Sequence, residues 1–149
     1  TPEKRYLALV SPPLGGPVRV DAALVPARRS RMRVARPGEE GKPAVTELVP
    51  VETFGEVALV EARPLTGRTH QIRVHLRHAG APLLVDPQYG RPDPVSERRL
   101  GGASDAPVLA RTPLHASRLV LPGSDGLPAA DVGAPLPADM ARALTLLRH

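Results

Sequence analysis

One stretch near the middle of the chain, residues 66–77, reads T-G-R-T-H-Q-I-R-V-H-L-R and joins a tight glycine turn to the start of a helix. An apolar run typical of a buried strand precedes it. Ile72, Leu76 and Ala79 recur at helical spacing, which predicts a helix from about Thr69 to Ala79 with one apolar stripe. The chain is therefore expected to place a strand, a basic turn and a short helix side by side.

The cationic side chains of this stretch lie away from the apolar stripe. His70, Arg73 and Arg77 share another face of the predicted helix, and Arg68 lies in the turn. The helix dipole disfavours cations near a helix N-terminus, so an arginine there is best stabilised by a carboxylate or a phosphate. We therefore expect an anionic partner close to Arg68 and Arg73.

The overall charge also favours an anionic partner. The formal net charge is +5, the sequence pI is about 10.6, and all but two of the 20 cationic side chains are arginine. Nucleic acid fits such a balance first and an anionic membrane surface second. The alternative is that the surplus of arginine only keeps the surface soluble.

Several classes of function are excluded by what the sequence lacks. It has no cysteine, which excludes disulfides and thiolate chemistry and fits a reducing, cytoplasmic location. No apolar run is long enough to span a bilayer, and no P-loop, G-x-G-x-x-G or H-E-x-x-H pattern occurs. His75 and His115 are interpreted as hydrogen-bonded packing residues, and His70 and Gln71 as residues that fix the turn. Neither a metal nor any other cofactor is expected.

Short apolar runs separated by 19 prolines and 13 glycines predict an α+β fold, a largely antiparallel mixed sheet with a few short helices in a single domain over residues 1–149. Strands are predicted for residues 5–10, 18–25, 31–34 with Arg31 and Arg33 pointing outward, 44–51, 56–63 and 114–121. The fourth and fifth are expected to form an antiparallel hairpin, in which Pro50 requires an edge or a bulge. Residues 91–113 and 123–137 are predicted as loops, and a last helix is predicted from Asp139. Because aromatic residues are few, the core is expected to consist of Val, Leu and Ala.

Four segments of the chain match a known family in order. Residues 66–76 resemble the T-G-R-T-H-Q-I-R-V-H-L motif of the RluA-type RNA pseudouridine synthases, and residues 84–90 are similar to the family's G-D-x-x-Y-G turn. Residues 4–10 and 114–116 are similar to its K-x-Y-L-A-L-V strand and its L-H-A segment. The resemblance implies a pseudouridine synthase fold and the isomerisation of uridine to pseudouridine in ribosomal or transfer RNA, without a cofactor.

One segment of the family is missing from the sequence. The family's H-R-L-D segment precedes the K-x-Y strand and carries the catalytic aspartate, and it does not occur in these 149 residues. The chain is therefore expected to be the C-terminal part of such a catalytic domain. We expect it to form no pseudouridine by itself, because positioning groups cannot complete the reaction without the nucleophile.

The resemblance also implies roles for particular residues. Tyr6 matches the tyrosine that lies against the target uracil in the family, where a ring can stack on a flipped-out base. An arginine of the T-G-R-T-H-Q-I-R motif pairs with the catalytic aspartate in the family, and either Arg68 or Arg73 matches it. Asp86 matches a structural aspartate. Contacts to the RNA backbone are expected from a further set of basic side chains: Arg28, Arg29, Arg31, Arg33 and Arg77.

Two alternatives to a synthase remain open from the sequence. A noncatalytic RNA-binding module would keep the scaffold without the chemistry. A degenerate remnant would have neither role, and its sheet would be only marginally stable if a central strand had been lost. In the leading interpretation the chain is a monomer that binds ribosomal or transfer RNA and binds neither a membrane nor a metal.

Overall fold

The computed structural model describes residues 2–149, in which ten strands and two helices are found. The strands are β1 (Glu3–Val10), β2 (Val18–Asp21), β3 (Leu24–Pro26), β4 (Met32–Val34), β5 (Val45–Phe54), β6 (Val57–Pro64), β7 (Val95–Ser96), β8 (Pro107–Leu109), β9 (Leu114–Leu121) and β10 (Ala130–Gly133). The helices are α1 (Gln71–His78) and α2 (Ala138–Leu147), and short 3₁₀ turns cover Arg28–Ser30 and Arg98–Leu100. Within this range neither helix is long or apolar enough to cross a membrane.

Six strands form one sheet in the order β10-β9-β1-β6-β5-β2. The predicted α+β class is confirmed, although every strand pairing within residues 2–149 is antiparallel rather than mixed. Strand β1 is central, and Tyr6 lies opposite Ala62 of β6 and Ala116 of β9. The pairing with β9 shifts register between Arg5 and Tyr6. Backbone ladders on both flanks therefore fix the position of Tyr6.

The predicted hairpin is formed by β5 and β6. Gly55 occupies its turn with φ of 61°, a left-handed conformation that glycine adopts without a steric cost. The register of β5 against β6 shifts between Pro50 and Glu52, which is the irregularity predicted from the proline. Strand β2 pairs with β5 only from Val45 to Leu48.

Apolar side chains cover both faces of the sheet, as the two apolar faces of β1 predict. On one face Ala8 and Val10 pack with Ile72 and Leu76 of α1. On the opposite face Leu9 packs with residues of α2 that include Met140 and Leu144. A third small cluster joins α1 to the β3–β4 hairpin; its buried members are Leu24, Ala44, Val74 and Tyr89. Since the two helices lie on opposite faces, the basic turn before α1 opens on one side of the sheet only.

Two segments predicted as loops carry strands. Residues 91–113 contain β7 and β8, and their buried Val95, Leu100 and Leu109 belong to the same core cluster as α2. Residues 123–137 contain β10, which forms one edge of the sheet. The strand predicted over 18–25 is also divided, because β2 pairs with β5 whereas β3 leaves the sheet to pair with β4. Isolated apolar residues between glycines and prolines show no periodicity, yet Val95, Leu100 and Leu109 are enough to attach residues 91–113 to the core, whereas β10 is held by its pairing with β9 and stays mostly exposed.

Candidate functional site

A cleft of about 360 Å³ opens between β1, the first residue of β9 and the start of α1. The three residues predicted to act in catalysis all line it: Tyr6, Arg68 and Arg73. Lys4 and His70 contribute to the same walls. The fold therefore brings together the K-x-Y strand and the basic turn, as the resemblance implies.

The turn before α1 is held by the side chain of Gln71, which is buried. Its Oε1 accepts hydrogen bonds from Thr66 Oγ1 at 2.6 Å and from the backbone N–H of Arg68 at 3.1 Å. Its Nε2 donates to the carbonyl of Val45 and to Thr46 Oγ1, both at 2.9 Å. This confirms that Gln71 fixes the turn, and it ties the turn to strand β5.

Arg73 has a carboxylate partner within the chain. Its Nε lies 3.0 Å from Asp86 Oδ2 and its Nη2 lies 2.6 Å from Asp86 Oδ1, and Nη2 also donates to Gln88 Oε1 at 2.9 Å. Its guanidinium carbon is 4.9 Å from the centre of the Tyr89 ring. Burial acts to raise the pKa of Asp86, but the hydrogen bonds and charge of Arg73 and the N–H groups of Gln88 and Tyr89 lower it overall. Asp86 therefore has the structural role predicted for it, as the partner of Arg73.

Arg68 is held differently from Arg73. Its Nε donates to the carbonyl of Pro43 at 2.8 Å, and among residues 2–149 no carboxylate lies within ion-pairing distance of its guanidinium group. The sequence left open which of the two arginines would meet an external anion. The geometry favours Arg68, because the charge of Arg73 is already balanced.

Tyr6 is half-buried and packs against the core cluster that contains Ile72 and Leu76. Its hydroxyl makes no hydrogen bond to any residue in the range 2–149 and is not sealed from solvent. The ring is therefore anchored at its apolar end, while the polar end remains available to a ligand in the cleft.

His70 forms a contact that the sequence did not indicate. Its Nδ1 lies 2.6 Å from the hydroxyl of Tyr89, and that hydroxyl also accepts the backbone N–H of Met32 at 2.9 Å. His70 has φ of 55°, a left-handed conformation that is uncommon outside glycine, and α1 begins directly after it. Burial, with the charge of Arg73, lowers the pKa of His70. A histidine on the cleft wall is thus linked to strand β4 through one tyrosine.

His75 and His115, the other two histidines singled out from the sequence, differ from each other. His75 is fully buried, and its Nε2 donates to the carbonyl of Ala22 at 2.9 Å while its Nδ1 lies 2.7 Å from Thr46 Oγ1. Burial lowers the pKa of His75. Its predicted packing role is confirmed, whereas His115 was wrongly expected in the core. It is half-buried, because β9 has only β10 beyond it, and its Nε2 lies 3.2 Å from the carbonyl of Ala134.

The residues predicted to contact RNA are free to different extents. Arg28 and Arg29 are exposed in the turn between β3 and β4, and Arg77 is exposed on α1. Arg33 was expected to point outward but is half-buried, and it binds Glu39 through two hydrogen bonds of 2.7 and 2.6 Å. These bonds lower the pKa of Glu39 to about 2. Arg33 therefore carries less unbalanced charge than its exposed neighbours.

Arg31 also departs from the predicted outward orientation. It precedes β4, is half-buried, and has a buried Nε that finds no hydrogen-bond partner in the described part of the chain.

A separate groove of about 350 Å³ lies between β4 and α1, with Arg33, Arg77 and Tyr89 among its lining residues. Across residues 2–149 no cluster of three or more His, Cys, Asp or Glu side chains is placed to hold a metal ion.

A family model described as RNA pseudouridylate synthase matches residues 1–78, just over half of the chain. The chain belongs to the RNA pseudouridylate synthase family. Both the K-x-Y strand and the T-G-R-T-H-Q-I-R turn lie within the matched range. The family indicated by the sequence motifs is therefore confirmed.

Curated relatives and solved structures agree with this assignment. Ribosomal large subunit pseudouridine synthase D of Nitrosomonas europaea is 41% identical over 154 residues, covering 100% of this chain and 42% of that protein. Ribosomal large subunit pseudouridine synthase C of Escherichia coli (strain K12) is 37% identical over 151 residues, covering 99% and 46%. The structure of human RNA pseudouridylate synthase domain containing 4 has a TM-score of 0.73 at 26% identity, covering 99% of this chain and 62% of that one. The chain thus spans less than half the length of these two curated relatives.

Asp86 and Tyr89 lie beyond the range matched by the pseudouridylate synthase model. They nevertheless complete the site, because Asp86 holds Arg73 and Tyr89 holds His70. Their G-D-x-x-Y-G-like turn was recognised from the sequence, but its spatial partners were not. In this member of the family the turn of residues 84–90 does not itself line the cleft, but it holds two residues that do, Arg73 and His70.

Proposed function

We propose that this chain supplies the uridine-binding part of an RNA pseudouridine synthase, which converts uridine in RNA to pseudouridine. The observation that supports this most directly is that Tyr6 and Arg68 line one cleft in a chain of this family. The names of the relatives point to ribosomal RNA of the large subunit as the substrate, with transfer RNA as the alternative.

In this proposal each cleft residue has a distinct role. Tyr6 offers a ring on which a flipped-out uracil stacks, with its free hydroxyl at the polar end. Arg68 offers a guanidinium group without a carboxylate partner among residues 2–149, suited to pair with the catalytic aspartate of the H-R-L-D segment or with a phosphate. Arg73, bound to Asp86, keeps the wall in place.

The reaction exchanges one bond of the uracil for another. The bond between the ribose C1′ and N1 of uracil breaks, a bond between C1′ and C5 forms, C5 loses its hydrogen to water and N1 gains one. No atom is lost from the RNA apart from this exchange, so the reaction is an isomerisation. Release of the C5 hydrogen gives a direct measure of turnover.

The experiment uses RNA that carries 5-tritiated uridine. The protein produced from the complete gene is expected to release tritium, whereas these 149 residues alone are expected to release none, because the H-R-L-D segment is not among them. RNA binding that weakens steeply with salt, without release by the complete protein, would instead identify a noncatalytic RNA-binding module. A cytoplasmic location and a monomeric state remain predictions, to be checked by cell fractionation and analytical ultracentrifugation.

A further inference from the structure

The hydroxyl of Tyr89 is buried and has two hydrogen-bonding neighbours, and they fix the direction of its proton. The backbone N–H of Met32 can only donate, so the tyrosine oxygen accepts that bond. Within residues 2–149 the other partner is Nδ1 of His70. A buried hydroxyl proton without an acceptor is costly, so Tyr89 donates to Nδ1.

This direction determines the tautomer of His70. An Nδ1 atom that accepts a hydrogen bond carries no proton, so the neutral ring carries its proton on Nε2. The lowered pKa of His70, caused by burial and by the charge of Arg73, favours this neutral form at pH 7. The ring is also held edge-on against the Tyr89 ring, with centroids 5.4 Å apart at 76°.

The Nε2–H group remains unused inside the protein. Among residues 2–149 no acceptor is within hydrogen-bonding distance of Nε2, and the atom is not sealed from solvent. His70 lines the same cleft as Tyr6 and Arg68. A residue of the cleft lining therefore carries an accessible, neutral N–H group, whose nitrogen can donate a hydrogen bond but, in this tautomer, cannot accept one.

We propose that His70 determines specificity for uracil by donating its Nε2–H to the C4 carbonyl oxygen of the base, and that Tyr89 is the positioning residue that holds it in the donating tautomer. This inference rests on the proposed function, since it takes the flipped uridine as the occupant of the cleft. Cytosine carries an amino group at C4, which is itself a donor. Two donors that face each other leave both unpaired, so cytosine is rejected.

Two substitutions of His70 separate its two ring nitrogens. The amide of His70→Asn reaches the position of Nδ1, keeps a polar contact to Tyr89 and suits the left-handed backbone, but has no group at the position of Nε2. The amide of His70→Gln reaches the position of Nε2 and can rotate to present either a donor or an acceptor. The two variants are therefore matched controls for each other.

The first measurement is binding of the complete protein to oligouridylate and oligocytidylate of equal length, which have the same phosphates and differ only in the base. The wild type is expected to prefer oligouridylate. His70→Asn is expected to lose about tenfold in affinity for oligouridylate and little for oligocytidylate. His70→Gln is expected to keep its affinity for oligouridylate and to gain affinity for oligocytidylate. Equal binding of both by the wild type, or equal loss for both in His70→Asn, as a phosphate contact would give, overturns the proposal.

The second measurement reads the tautomer directly by ¹⁵N NMR of the His70 ring in the RNA-free protein. We expect an unprotonated Nδ1 and a protonated Nε2, and a shift toward a mixture of tautomers in Tyr89→Phe. A proton on Nδ1 in the wild type overturns the proposal. Both measurements are independent of turnover, so a failure of tritium release would refute the proposed function and leave base selection to be decided by binding.

Discussion

Arg73, which lines the cleft, donates hydrogen bonds to both carboxylate oxygens of Asp86. The aspartate is only 1% exposed, and the two opposite charges balance each other. Among residues 2–149 the guanidinium group of the neighbouring motif arginine, Arg68, is bound only to a backbone carbonyl. One motif thus provides a structural arginine and an arginine that is free to meet an external anion.

Replacing Arg73 by Met is expected to destabilise the protein by about 3–5 kcal/mol, because the buried Asp86 would lose its partner. The double variant Arg73→Met/Asp86→Asn is expected to be more stable than Arg73→Met, since the amide oxygen still accepts the N–H groups of Gln88 and Tyr89 while no charge is left unpaired. Urea unfolding of both single variants and the double variant measures the coupling. Strictly additive effects would contradict a direct ion pair.

On the proposed function, replacing Arg68 by Lys in the protein produced from the complete gene is expected to lower kcat/KM about 100-fold while changing the free energy of unfolding by only about 1 kcal/mol. Lysine keeps the charge but cannot pair with a carboxylate at two points. Tritium release and urea unfolding check the two parts. Arg99→Gln is the control, because Arg99 is exposed beside the core cluster of α2. A fully active Arg68→Lys enzyme would show that only charge is needed there.

On the proposed function, replacing Tyr6 by Leu in the protein produced from the complete gene is expected to lower kcat/KM by about 10- to 100-fold, because stacking of one base on a ring contributes about 1–3 kcal/mol. Replacing it by Phe keeps the ring and removes only the hydroxyl, so binding of RNA should be retained. Comparing the KM and kcat of the two variants separates stacking from the contribution of the hydroxyl. Equal binding defects in both would argue against stacking.

The buried, neutral His75 predicts a loss of stability in mild acid. Its folded pKa lies below the ordinary value of 6.5, so the unfolded state takes up a proton first as the pH falls. Its contribution is fully present above about pH 6.5 and decreases below it by up to about 1.4 kcal/mol per pH unit, until the folded pKa is passed. Urea unfolding between about pH 7.5 and about pH 5 measures this slope. The variant His75→Gln should show a flatter profile; an unchanged slope would assign the effect to other groups.

The exposed Arg28 and Arg29 are expected to contribute to the salt dependence of RNA binding. The double variant Arg28→Gln/Arg29→Gln should reduce the slope of log K against log salt by about 1–2, with a similar loss of affinity for different RNA sequences. The variant Arg91→Gln/Arg99→Gln removes the same charge elsewhere and is the control, because both side chains are exposed and neither has an ion-pair partner among residues 2–149. Arg33→Gln should have a smaller effect, because Glu39 already balances Arg33. Equal slopes for the two double variants would mean that only net charge matters.

The elements with a strong local pattern could be predicted from the sequence. Strand β1 alternates two apolar faces, the hairpin of β5 and β6 has Gly55 at its turn, and α1 shows an apolar stripe at helical spacing. In contrast, β7, β8 and β10 are short and lie among glycines and prolines. The burial of β7 and β8 depends on contacts with α2, which lies far from them in the sequence. Strand β10 is mostly exposed, and its position depends on its pairing with β9.

The site was predictable in its residue types but not in its pairings. The resemblance to the family predicted that Tyr6, Arg68 and Arg73 lie near one another, and all three line one cleft. The division of roles between the two arginines depends on Asp86, and the orientation of His70 depends on Tyr89. Both partners lie in the turn of residues 84–90, which follows α1 in the sequence, whereas the motif begins before α1. Similarly, the pairing of Arg33 with Glu39 depends on the path of a loop, and no periodic pattern indicates it.

The position of Tyr6 on a strand that is hydrogen-bonded along both flanks has a consequence for the RNA. The backbone that carries the Tyr6 ring cannot move outward to meet a base, because a large displacement would break the central ladders of the sheet. In the proposed reaction the nucleotide, and not the strand, must therefore move from the base stack into the cleft. On the proposed function, uridines in loops and bulges, which lose little stacking when they turn outward, are therefore expected to enter the cleft at the lowest cost in free energy.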